Sequence, residues 1–138
     1  MKLSKMMQKN LIDEINFACD GMESSDSPFV KMYFFSAAFG AVHRIMNIEF
    51  DPELAFVHEV LRRAYEQVNG RLTIAAQGRE ELGLPDKLFS RLEDELRGLA
   101  KQIEDGQRTY PVLERISNLA YSSTGNGYYL YLRGVLPV

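Results

Sequence analysis

An all-α fold, an up-and-down antiparallel bundle of four long helices plus a short fifth with an extended C-terminal tail, is predicted by three features of this 138-residue sequence. Apolar residues recur three and four positions apart through most of the chain, the period of one face of a helix. Helix-start signals precede the periodic stretches: Ser27-Pro28, Asp51-Pro52, Pro85 and Tyr110-Pro111. The connections between stretches span only a few residues, which forces consecutive helices to lie side by side and antiparallel. The whole chain, residues 1–138, reads as one domain with no internal repeat.

The first stretch carries Leu3, Met7, Leu11, Ile15, Ala18 and Met22 on one stripe, with Lys5, Lys9, Asp13, Asn16 and Asp20 away from it. Its methionines suit an adaptable contact surface. Glu23 to Ser27 is a polar loop, and Ser27 caps the next helix, which runs to Ile48. That helix is apolar in almost every direction; only Ser36, Gly40, His43 and Asn47, with Arg44 at the edge, form a narrow polar stripe. A helix apolar nearly all round belongs at the centre of a bundle or in a subunit interface. The sequence therefore places Phe34, Phe39 and Ile45 in the core and makes Phe39→Ala a costly change.

Asp51-Pro52 restarts the helix after a tight corner, and Leu54, Val57, Leu61, Ala64, Val68, Leu72 and Ala75 carry it to about Gln77. Gly78 to Leu84 is a connection. From Pro85, Leu88, Leu92, Leu96, Leu99 and Ile103 form a sharp stripe that ends at Gly106, opposite a face of alternating charge typical of a solvated surface. A shorter helix begins at Thr109-Tyr110-Pro111, with Leu113, Ile116, Leu119 and Ala120 inside. Thr124-Gly125-Asn126-Gly127 is a turn signal, and the tyrosine-rich Tyr128–Leu132 favours extended chain. Residues 119–123 and 128–132 can pair as a hairpin, but a helix followed by a tail that lies on a surface, its own or a second subunit's, is the expectation.

Bulk composition excludes several classes of function. With 19 acidic and 16 basic residues, the chain lacks the clustered positive charge that nucleic-acid binding requires. A single cysteine, Cys19, rules out an internal disulfide and a cysteine metal cluster, and the cytoplasm is the simplest location for such a chain. Lys31, His43 and Arg44 would sit in hydrocarbon if the apolar second helix crossed a bilayer, so no membrane role is expected. No apolar run follows the basic residues at Met1–Lys5, unlike a signal peptide.

Candidate chemistry gathers around the only two histidines. His43 lies about two turns before the corner and His58 about two turns after it, so an antiparallel hairpin sets them at similar heights. Ser36, His43, Asn47, His58 and Glu59 are the candidate ligand-binding residues. Two imidazoles and a carboxylate are metal-ligand types, but no Glu stands three residues before either histidine, as inward-facing metal sites in bundles require. No metal or other cofactor is expected. Cys19 has no basic neighbour in sequence to activate it. The leading expectation is a non-enzymatic module that self-associates as a homodimer through surplus apolar surface. A small-ligand or metal-binding bundle around His43 and His58 is the alternative.

Overall fold

The computed structural model describes residues 1–79 and 83–124. Five helices form an all-α antiparallel bundle: α1 (Lys5–Glu23), α2 (Pro28–Ile48), α3 (Pro52–Ala76), α4 (Leu88–Glu104) and α5 (Tyr110–Ser123). There is no strand among the described residues. Leu119–Ser123 belong to α5, which removes one half of the possible hairpin, and the expected tail lies outside the described residues.

Local chemistry sets the boundaries. The Ser4 hydroxyl accepts from Met7 N at 3.2 Å, Ser27 from Val30 N at 3.4 Å, and Asp51 Oδ1 from Glu53 N and Leu54 N at 2.8 and 3.1 Å. Each supplies an acceptor to N–H groups that the helix itself leaves unpaired. Gly106 closes α4 at φ +68°, with its own N–H donating to Ile103 O and that of Gln107 to Gln102 O. This paired pattern needs the left-handed conformation that glycine adopts without a Cβ penalty. At the other end of α4 the helix starts at Leu88, three residues after the proline, because Pro85 to Lys87 form a turn in which Leu88 N donates to Pro85 O.

The helices pack as a ring in the order α2, α1, α4, α5, α3 and back to α2, with α4 brushing α2 across the middle. Consecutive helices are neighbours except α3 and α4, which do not touch and lie on either side of α5. Every helix contributes one stripe to a shared interior, including Leu11 and Ile15, Met32 and Phe35, Leu54 and Leu61, Leu92 and Leu96, and Leu113 and Ile116.

The expected central position of α2 is corrected by this ring. α2 is one wall with α1 and α3 beside it, and an outer face that no other helix covers among the described residues. Ile45 is buried, whereas Phe34 and Phe39 are only half-buried at the seams with α1 and α3. Five helices already fill the interior with one stripe each, so an all-round apolar helix has more greasy surface than the ring can cover. The large cost expected for Phe39→Ala moves accordingly to Phe35.

A polar clasp outside the apolar interior ties the ring together at the α2–α3 corner. The α-amino group of Met1 lies 3.0 Å from Glu53 Oε1, Lys2 N donates to Asp51 Oδ2 at 2.9 Å, and Ser4 N donates to Glu49 Oε2 at 2.8 Å. From the far side, Thr109 N and Thr109 Oγ1 both donate to Glu53 Oε2, at 2.9 and 2.7 Å. Glu53 is only 5 % exposed, so one carboxylate joins the residues before α1, the start of α3 and the start of α5. Burial pushes this carboxyl up, but the Thr109 bonds and the ammonium outweigh it and hold it below the ordinary value of 4.5.

Candidate functional site

The antiparallel α2–α3 hairpin brings the two histidines together as their spacing predicts. The His43 and His58 ring centroids are 5.3 Å apart and the planes are tilted by 39°. His58 also meets Phe39 edge-on at 6.0 Å, and Phe39 meets Tyr65 at 5.5 Å. A row of four rings thus runs along the seam. Asn47, one turn beyond His43, places Nδ2 3.3 Å from His43 Nε2, in donating distance when the neutral ring carries its proton on Nδ1. Partial burial holds His58 below its usual 6.5, and His43 pushes the same way, outweighing Glu59.

The other two candidates are engaged elsewhere. The Glu59 carboxylate is gripped along its own helix by Arg62 at 2.5 Å and Arg63 at 2.9 Å, which lowers its pKa. The Ser36 hydroxyl donates to Tyr33 O at 2.6 Å, a bond within its own helix turn. Among the described residues no three His, Cys, Asp or Glu side chains converge in an arrangement that can hold a metal ion. Cys19 is fully buried, its Sγ 3.7 Å from Glu93 O, and burial pushes the thiol up to about 12. A thiol so far from ionisation is a poor nucleophile.

A larger feature occupies the outer side of α1 and α2. Phe17 is 67 % exposed and Tyr33 69 % exposed, with Phe29 and Val30 beside them. Phe34 joins the two helices: its ring meets Phe17 at 6.3 Å and Tyr33 at 5.5 Å. The ring lies directly over Gly21, where any Cβ would collide with it. Gly21 therefore seats the aromatic cluster, a role hidden in the sequence because the glycine sits inside a regular helical stripe. Toward the opposite end of the same two-helix face, Met6, Ile48 and Phe50 are also exposed. Beside it a cavity of about 360 Å³ is lined by Met7, Asn10, Asp13, Glu14, Arg44, Ile45 and Ile48. An ion pair between Arg44 and Glu14 joins α2 to α1 at this cavity.

No helix among the described residues is long and apolar enough to cross a membrane. No family model, curated protein or solved structure matches this chain.

Proposed function

We propose that this chain is a self-associating interaction module, a homodimer that pairs through the outer face of α1 and α2. The observation that carries the reading is the uncovered aromatic cluster of Phe17, Phe29 and Tyr33 around Phe34. Aromatic side chains supply much of the energy of protein interfaces, and a contiguous exposed apolar patch marks an interaction surface. The scale fits: α2 has 21 residues, giving a two-helix face about 30 Å long and about 20 Å wide, roughly 600 Å², at the lower end of the range of a stable complex. The same face carries charge of both signs, with Arg44 beside Glu14 and Asp13 at the cavity.

Light scattering coupled to size exclusion tests this directly. The wild-type chain is expected at twice its 15.8 kDa mass. Tyr33→Asp, which places a charge on a solvent-facing position without touching the interior, is expected to weaken association by about tenfold or more, roughly the cost of losing one aromatic anchor. A wild-type monomer at micromolar concentration, or a Tyr33→Asp chain that remains as dimeric as wild type, sinks the reading.

A second reading is favoured by the imidazole contact. His43, Asn47 and His58 are solvent-accessible and close, and two imidazoles offer a small polar molecule hydrogen bonds or a divalent ion two nitrogen ligands. Ser36 and Glu59 join that site only by leaving their present partners. If the reading holds, zinc raises the melting temperature of wild type but not of His43→Ala or His58→Ala. An equal response in all three chains overturns its metal form.

A further inference from the structure

We infer that the partner on this face is a second copy lying antiparallel, with α2 crossing its counterpart at Gly40, so that the aromatic end of each chain enters the cavity at the other end of its mate. The inference rests on the self-association proposed above and adds the geometry of the pair.

Three observations point to this arrangement. First, the α1–α2 face carries a projecting cluster at one end and a cavity at the other: Phe17, Phe29 and Tyr33 stand out, while about 360 Å³ lies open beside Ile48. A face with a knob and a hole at opposite ends closes on a copy of itself under a two-fold rotation. Both contacts then form at once, whereas a head-to-tail pairing satisfies one and leaves the other open to further chains.

Second, the midpoint between knob and hole on α2 is Gly40. Tyr33 lies seven residues before it and Ile48 eight after, about 10 and 12 Å along the axis. At about 100° per residue, Tyr33, Gly40, Arg44 and Ile48 all fall within roughly 80° on the outer side of the helix. The two-fold axis of such a pair must therefore pass close to Gly40. Third, a Cβ built on Gly40 meets no atom within 4 Å. Glycine inside a helix costs about 1 kcal/mol relative to alanine, and nothing among the described residues needs the missing side chain. A second backbone approaching at that point does need it, because a residue without a side chain lets two helix axes come to the short end of the usual 8–10 Å packing distance.

Cysteine cross-linking tests the crossing point. Cys19 is buried and its thiol is held up to about 12, so an introduced thiol is the reactive one. Gly40→Cys projects into open space and meets its own copy only if the axis passes there. Under mild oxidation the bulk of Gly40→Cys is expected to run as a disulfide-linked dimer, while Ser90→Cys on the exposed side of α4 remains single. Gly40→Leu, which fills the crossing, is expected to weaken association by at least tenfold with an unchanged helical circular-dichroism spectrum. A dimeric wild type whose Gly40→Cys form links no better than Ser90→Cys overturns the antiparallel crossing and leaves self-association standing. A monomeric wild type removes both, and a dimer indifferent to Gly40→Leu overturns the crossing alone.

Discussion

Phe35→Ala is expected to destabilise the chain by about 3–5 kcal/mol, the cost of emptying a packed aromatic site. Phe35 is fully buried and is the largest of the side chains with almost no exposure. It projects from α2 into the ring interior, where the stripes of the flanking helices close around it. Truncation removes the transfer free energy of the ring and leaves a void that five helices, held in register by one another, can fill only in part. Phe39→Ala, four residues and about one turn further on, is expected to cost clearly less, because that side chain is only partly buried. Chemical denaturation of the two variants gives the comparison, and equal losses would show that the α2–α3 seam is as closed as the interior.

Glu53→Ala is expected to cost a similar amount, about 3–5 kcal/mol, by a different route. Removing this carboxylate leaves Thr109 N–H, the Thr109 hydroxyl and the α-amino group without the acceptor they share. Buried donors stripped of a partner incur the full desolvation penalty. Glu53→Gln keeps the shape and one acceptor oxygen, so it isolates the charge and is expected to fall between wild type and Glu53→Ala. The pH dependence follows from the depressed pKa. A carboxyl whose folded pKa lies below its unfolded value stabilises the fold fully above about 4.5, and this is lost as pH falls through the folded value. Asp51 and Glu49 are lowered too: burial raises Asp51, but the N–H groups of Lys2, Leu54 and Glu53 outweigh it, while Ser4 lowers Glu49. Acid titration should therefore loosen the α2–α3 corner, and Glu53→Gln should lose less between pH 5 and 3 than wild type. Parallel profiles would remove Glu53 from the clasp.

Much of the architecture was legible because its cause is local. The Leu88, Leu92, Leu96, Leu99 and Ile103 stripe of α4 is buried throughout, and Asp51-Pro52 begins α3 as its capping chemistry dictates. The histidine contact was also legible, since equal distances from a tight corner set equal heights in a hairpin. The position of α2 was not. Periodicity reports how much apolar surface a helix carries, but not whether its own chain has enough neighbours to cover it. Glu59 looked free because its two arginines lie three and four residues away, a spacing as common on solvated faces. Glu53 gave no signal at all. Its partners, Met1 and Thr109, are 52 and 56 residues distant, and only the closed ring brings them to one point.

That ring gives the span between α3 and α4 an unusual freedom. The helices it joins share no surface, and each is held instead by seams to α1, α2 and α5. Its length is therefore only weakly constrained by packing, since doubling a loop in general adds only about 0.6 kcal/mol of closure entropy. Extra residues, or a small inserted domain, can therefore be carried between Ala76 and Leu88 with little penalty. The tight Glu49–Asp51 corner, already committed to the clasp, has no such slack.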